Sequence, residues 1–298
     1  MSFSASVKDE MLKNIPSARH CQIAETAGYI LNIGKINETG IIFETENELL
    51  IRRIGVLLEK AYNILVGYTM DTNGIKIRYE LVVNNSNEVS DILMSLKYKN
   101  GDNTVDGRII QAICCKRAYL QAVFMSIGSV TDPDKGYHLE FVSSSKERLL
   151  QVRDLINDFD IAAKLTQRKN QYVLYIKEGQ AIVDLLNVMG AHVALMNMEN
   201  SIIMKDFRNG LNRRVNCEAA NLIKSANAGS RQKSDIELIR DKYGFDNLPD
   251  NLREIAILRI ENPEASLSEL SDMTNPHVGK SGINHRLRKL SELAETLK

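Results

Sequence analysis

Arg19-His-Cys-Gln-Ile-Ala-Glu-Thr-Ala-Gly-Tyr-Ile-Leu-Asn-Ile-Gly34 returns 94 positions later as Ile113-Cys-Cys-Lys-Arg-Ala-Tyr-Leu-Gln-Ala-Val-Phe-Met-Ser-Ile-Gly128. The offset pairs Cys21 with Cys115, Ala24 with Ala118, Ile30 with Phe124 and Gly34 with Gly128. Each copy predicts a helix with a face of small residues. Each ends at a glycine that reads as a C′ stop, where positive φ is easy. A short polar turn follows in both, Asn37 to Gly40 and Asp132 to Gly136, and then a strand, Ile41 to Thr45 and Tyr137 to Val142.

The parallel extends outward. Glu48 to Tyr62 and Lys146 to Phe159 have the spacing of amphipathic helices. Strands are predicted near Ile75 to Val83 and at Gln171 to Ile176, where apolar residues alternate with other types as one-sided burial requires. Ile75, Ile77 and Tyr79 match Tyr172, Leu174 and Ile176 at an offset of 97. Helices at Val89 to Leu96 and Ala181 to Met189 close each copy. The expectation is a duplicated α+β domain over residues 1–200, with repeats of about 1–100 and 101–200.

Beyond it the composition changes. Lys205 to Lys233 holds seven basic and two acidic side chains, so residues 201–229 read as a basic linker containing one or two helices. Residues 230–298 read as an all-α domain of four helices: Ser230 to Lys242, Pro249 to Ile260, Ser266 to Met273, and Lys280 to about Leu297. Ser266-Leu-Ser-Glu269 fits a capping box. The short helix, the turn from Thr274 to Gly279 and the longer helix after it have helix-turn-helix layout.

In the last helix Ile283, Leu287, Leu290, Ala294 and Leu297 form a stripe for burial. Lys280, Ser281, Asn284, His285 and Arg288 lie on the other side and are the expected base-facing residues of a DNA major-groove helix. Asn pairs bidentately with adenine, and Arg with guanine. Arg286 and Lys289, with Arg213, Arg214 and Lys224 upstream, are the expected phosphate contacts. Positions 276–291 carry four Lys or Arg and no acid.

The whole chain is electrically balanced, with 38 basic and 38 acidic side chains, which excludes a histone-like polycation. Residues 1–200 hold 22 basic and 24 acidic side chains, a poor balance for gripping DNA unless the charge is segregated. The four cysteines, Cys21, Cys114, Cys115 and Cys217, include no C-x-x-C pair, so no zinc ribbon and no thioredoxin-type site is read. The adjacent pair Cys114-Cys115 is expected to put one thiol in the core and one near the surface. Reduced thiols, no signal core at the start and no long apolar run point to the cytoplasm. Gly279-Lys280-Ser281 lacks the upstream glycine of a P-loop, since position 274 is Thr. His138-Leu-Glu140 has no Pro-Cys-x-x-Cys after it, as a zinc deaminase would. No cofactor and no metal site is expected.

The duplicated helices, Ala27-Gly-Tyr-Ile-Leu-Asn-Ile-Gly34 and Ala122-Val-Phe-Met-Ser-Ile-Gly128, resemble those of the paired LAGLIDADG homing-endonuclease domain. That resemblance implies two helices packed through Ala24, Ala27, Gly28, Ala118 and Ala122, with a saddle of sheets beside them. It also implies an acidic metal ligand directly before each motif glycine. Those positions here are Ile33 and Ile127, preceded by Asn32 and Ser126, and an aliphatic side chain cannot ligate Mg²⁺. Glu38 and Asp132, a few residues on, read as turn acids.

Four stretches in order make the resemblance specific. They are Val130-Thr-Asp-Pro133 through Gly136-Tyr-His-Leu-Glu140, Arg213-Arg-Val-Asn-Cys-Glu-Ala-Ala-Asn221, Pro263-Glu-Ala-Ser-Leu-Ser-Glu-Leu270, and Gly279-Lys-Ser-Gly-Ile-Asn-His-Arg-Leu-Arg-Lys-Leu290. End to end the chain resembles the WhiA family of Gram-positive bacteria. The resemblance implies a degenerate LAGLIDADG domain tethered to a helix-turn-helix of sigma region 4 type. It further implies a transcriptional regulator of cell division, chromosome segregation or sporulation, without nuclease activity and without catalytic residues. The implied partners are double-stranded DNA and, for some members, a WhiB-type regulator; the near-neutral N-terminal domain is read as facing a protein or setting geometry, and the expected location is the cytoplasm, at the nucleoid. The competing readings are a division-associated adaptor with incidental DNA binding, and an active endonuclease.

Overall fold

A computed structural model describes residues 2–38, 40–72, 77–99 and 101–298. Contacts divide the chain into two compact units, residues 1–205 and 206–298.

The first unit opens with α1 (Phe3–Leu12), N-capped by the Ser2 hydroxyl, which accepts from the Ala5 N–H. The first repeat is then α2 (Arg19–Ile33), β1 (Gly34–Asn37), β2 (Gly40–Thr45), α3 (Glu48–Tyr62), β3 (Tyr68–Asp71), β4 (Arg78–Val83) and α4 (Ser86–Ser95). The second is α5 (Ile113–Ile127), β5 (Gly128–Val130), β6 (Leu139–Ser143), α6 (Lys146–Asn157), β7 (Lys164–Arg168), β8 (Gln171–Ile176) and α7 (Gly179–Val188). The two antiparallel sheets have the same strand order, β1-β2-β4-β3 and β5-β6-β8-β7. This is the duplicated α+β domain expected from the repeat.

α2 and α5 lie against each other through small residues. A Cβ placed on Gly28 would stand 2.6 Å from the Ala122 Cβ and 3.2 Å from the Tyr119 carbonyl oxygen, so only glycine fits that crossing. Ala24 and Ala118 are buried in the same seam. Neither helix shows a single apolar stripe, since each is enclosed on nearly every side by its partner and its sheet.

Three expectations need correction. Gly34 and Gly128 are not positive-φ stops: their φ values are −76° and −89°, extended, and the chain passes straight from helix into strand. They are glycine for space. A Cβ on Gly34 would meet the Ile30 carbonyl oxygen at 2.6 Å, and one on Gly128 would collide with the Phe124 ring.

The 97-residue strand match is also displaced. Phe43 pairs with Leu81 and Phe141 with Leu174, so Leu81 and Val83 are the counterparts of Leu174 and Ile176. The slip escapes notice because a shift of four residues preserves the period of two that marks a strand. Ile75, one of the residues so matched, lies outside the described residues.

Finally, the segment read as a basic linker with one or two helices lies wholly inside one helix, α8 (His192–Lys242). Gly210 weakens a helix but does not stop it. Glu10 of α1 caps the N-terminus of α8, its carboxylate accepting from the Val193 and Ala194 N–H groups at 2.7 and 2.9 Å. Residues 206–228 of the helix are exposed throughout.

One polar group is deep in the first unit. Arg53 on α3 forms a bidentate pair with Glu25 on α2, at 2.5 and 3.0 Å, with both side chains almost fully buried. Arg53 also donates to the Met11 and Leu12 carbonyls, and the Tyr29 hydroxyl donates to Glu25. Every charge there has partners, which is the condition for burying an ion pair at all.

The second unit contains the end of α8, a 3₁₀ turn (Phe245–Asn247), α9 (Asp250–Glu261), α10 (Leu267–Met273) and α11 (Lys280–Leu297). Its core is built from Ile236 and Ile239 of α8 with Ile255, Leu270, Ile283, Leu287, Leu290 and Ala294. No helix among the described residues is long and apolar enough to cross a membrane.

The pair Glu25–Arg53 gives a direct stability test. Arg53→Ala leaves a carboxylate buried without its partner and should cost about 3–5 kcal/mol in the urea transition of the first unit. Replacing Glu25 and Arg53 together by leucine should recover part of that loss. A destabilisation no larger than that of an exposed Arg→Ala control would overturn the role given to the pair.

Candidate nucleic-acid interface

The helix-turn-helix is built locally. Ser266 caps α10: its hydroxyl accepts from the Glu269 N–H at 3.2 Å, and the Glu269 carboxylate accepts from the Ser266 N–H at 2.7 Å. That backbone bond also holds the Glu269 carboxyl below its ordinary range. The turn is closed by side chains. Ser271 Oγ donates to the Val278 carbonyl at 2.6 Å, and Thr274 Oγ1 accepts from the Val278 N–H at 2.9 Å. Glu254 of α9 braces both the turn and the second helix, accepting from the Asn275 N–H at 3.1 Å and pairing with Arg286 at 3.4 Å.

α11 is therefore fixed from one side. Ile283, Leu287, Leu290 and Ala294 are buried, as the stripe predicts; its last member, Leu297, is half-buried. Lys280, Ser281, Asn284, His285 and Arg288, the residues expected to face bases, are all exposed on the other side. Gly279 supplies no side-chain cap and the first turn of α11 holds no acid, so the positive end of the helix is open.

The expected phosphate contacts divide into two sorts. Lys289 is exposed, and so are Arg213, Arg214 and Lys224 on α8; none of the four has an ion pair among the described residues. Arg213 and Lys224 are eleven positions apart, close to three turns, which puts them on one face roughly 16 Å apart. Arg286 is half-buried and already held by Glu254. Arg288 meets Glu292 at 2.9 Å, but both side chains are largely exposed, and such a pair holds by only about 0–1 kcal/mol. Arg231 reaches Glu295 at 3.8 Å, at the far end of α11.

At the two positions where the LAGLIDADG resemblance implies metal ligands, Ile33 and Ile127 are half-buried and pack on the main core. Their neighbours are turned back on their own helices. Asn32 Nδ2 donates to the Gly28 carbonyl at 2.7 Å and Ser126 Oγ to the Ala122 carbonyl at 2.8 Å. Asp132 caps its own turn, accepting from the Asp134 N–H at 3.0 Å, and Glu38 is exposed in a turn.

A second cluster lies at the opposite ends of the same two helices. His20 and Cys21 in the first turn of α2 meet Cys114 and Cys115 in the first turn of α5, with all four ligand atoms within 4.8 Å of one another. Cys115 is buried and Cys114 exposed, as the adjacent pair predicts. Burial and the neighbouring sulfurs push the Cys21 thiol up to about 12. The absence of a C-x-x-C pair hid this cluster. The 94-residue offset was the available signal, since it superposes His20-Cys21 on Cys114-Cys115.

Two family models match the chain: the WhiA LAGLIDADG-like domain over residues 116–208 and the WhiA C-terminal HTH domain over residues 211–294. A protein of Lachnoclostridium phytofermentans called probable cell division protein WhiA is 45% identical, with 100% of each chain covered. Among solved structures, full-length DUF199/WhiA from Thermatoga maritima matches with a TM-score of 0.63 and 27% identity, covering 99% of both chains. The N-terminal LAGLIDADG domain of DUF199/WhiA matches with a TM-score of 0.50 and 24% identity over 63% of this chain and 92% of that one, a likeness of fold. With both domain models seated in order and a relative aligned from end to end, the chain belongs to the WhiA family.

Proposed function

We propose that this chain is a DNA-binding transcriptional regulator acting in cell division, and that it has no nuclease activity. The observation that carries the reading is the division of α11 into a stripe buried from Ile283 to Ala294 and an exposed, acid-free face at its N-terminal half. A helix held that way can enter a major groove without losing its own core. In this reading Lys280, Ser281, Asn284, His285 and Arg288 face bases. Lys289, Arg286, Arg213, Arg214 and Lys224 face phosphates. The open N-terminus of α11 adds backbone N–H donors. The place in division rests on the names carried by full-length relatives. Binding to chromosomal DNA would keep the protein with the nucleoid.

The absence of nuclease activity rests on Ile33 and Ile127. Phosphodiester hydrolysis on a divalent metal needs oxygen ligands at the scissile phosphate, and these side chains have none. Purified protein incubated with duplex DNA and Mg²⁺ should leave the strands intact. Metal-dependent scission that follows the protein through purification would refute this part of the reading.

Base reading and phosphate holding separate by their salt and sequence dependence. Arg288→Ala should cost about 1–3 kcal/mol on the specific site, relax one base position and leave nonspecific binding nearly unchanged. Its release from Glu292 costs little, so the exposed pair does not mask the effect. Lys289→Ala should weaken all sequences alike and reduce the slope of log K against log salt by about 0.9. Arg286→Ala should reduce it by less, since Glu254 already neutralises that side chain. Equal weakening of specific and nonspecific sites by Arg288→Ala would remove the base-facing assignment.

A further inference from the structure

The His20, Cys21, Cys114 and Cys115 cluster has the composition and shape of a Cys₃His site, and we propose that it binds one thiophilic d¹⁰ cation, zinc in the first place. The imidazole Nδ1 of His20 stands 3.1 Å from Cys115 Sγ, 3.4 Å from Cys21 Sγ and 3.9 Å from Cys114 Sγ. Tetrahedral zinc, with Zn–S near 2.3 Å and Zn–N near 2.0–2.1 Å, requires nitrogen-to-sulfur edges of roughly 3.6 Å and sulfur-to-sulfur edges of roughly 3.8 Å. The three observed edges straddle the first value. All four ligand atoms lie within 4.8 Å of one another, which leaves at most about an ångström of closure for the whole cluster.

Each helix contributes two adjacent residues, related by the internal repeat, so the ion would sit where the first turns of α2 and α5 meet. Neither helix has a side-chain cap or an acid in its first turn. Both positive ends are therefore uncompensated, each equivalent to about half a charge. Three thiolates around a divalent ion carry a net charge of −1, which two such ends balance. A disulfide would use two of the sulfurs and give no role to an imidazole in reach of all three. The thiols are free in this structure.

Access is open on two sides. A cavity of about 400 Å³ is lined in part by His20 and Cys115, and another of about 370 Å³ by Cys21 and Cys114. On binding, three S–H bonds are exchanged for three S–metal bonds and three protons pass to the buffer. His20 gives its Nδ1 lone pair and keeps its proton on Nε2. Nothing is oxidised or reduced. The site is separate from Ile33 and Ile127, which lie twelve or thirteen residues along each helix, roughly 18–20 Å away. Its effect would be to clamp the two motif helices at the ends opposite Gly34 and Gly128.

The test uses the full-length chain, reduced and stripped of metal, titrated with Co²⁺ and then with Zn²⁺. The expected result is one equivalent of cobalt, with the strong visible bands of tetrahedral geometry and a thiolate charge-transfer band, both erased by zinc. Cys114→Ser, at an exposed position, should keep the circular dichroism of the parent and weaken cobalt binding by more than about 100-fold, beyond the loss typical of an outer-shell change. Cys217→Ser, on the exposed part of α8, should leave the spectrum unchanged. Zinc should raise the melting temperature of the parent and not that of Cys114→Ser. A weak octahedral cobalt spectrum, binding well below one equivalent, or a Cys114→Ser protein that binds as tightly as the parent would each overturn the site.

Discussion

The first unit depends on the contact of Gly28 with Ala122. At that crossing there is no room for one more carbon atom between Gly28 of α2 and Ala122 and the Tyr119 backbone of α5. Everything attached to the pair inherits its position. Because Gly34 and Gly128 carry the chain from helix to strand without a turn, each sheet is fixed to the end of its own helix. A larger side chain at the crossing would displace both sheets together. This is why the seam itself carries Cys21, Ala24, Gly28, Cys115, Ala118 and Ala122, while the large buried residues of the two helices, Tyr29, Ile30, Tyr119 and Phe124 among them, belong to the main core.

The same closeness bears on what stands at Ile33 and Ile127. Two carboxylates at equivalent ends of a tightly packed helix pair repel each other unless a cation lies between them, and one would take up a proton in its absence. Isoleucine needs no cation and adds apolar packing against the main core. The proposed Cys₃His site would reverse the arrangement: a metal at the other end of the pair, used for holding the helices together.

Much of this was legible in the residues. The long amphipathic helices α3, α6 and α11, the strands β2, β6 and β8, and the Ser266–Glu269 cap announce themselves through periodicity and capping chemistry. β1, β3, β5 and β7 went unread because each has only three to five residues and little alternation, too little to rise above its surroundings. The strand offset failed where a period of two cannot distinguish a shift of four. The meeting of His20 with three sulfurs arises from the crossing of two helices, and local spacing carries no trace of it. On α11 the exposed and buried faces were both readable; the hold of Glu254 on Arg286 was not, since those residues are far apart in sequence.

The long helix α8 poses a different physical question. Phe207, Leu211, Val215, Leu222 and Ile223 are large apolar side chains, yet 40–70% of each is exposed or more, so tertiary burial does not hold residues 206–228 helical. An isolated helix in water is limited by the cost of its first turn, whereas adding residues to an existing helix is close to neutral. Here the first turn is supplied from outside at either end. Glu10 caps the start and Met198 is buried there, while Ile236 and Ile239 anchor the finish in the core of the second unit. The middle then propagates from both anchors, tolerating Gly210 and several asparagines on the way. Helical geometry in turn places Arg213 and Lys224 on one face, an alignment that a coil of the same composition would not keep.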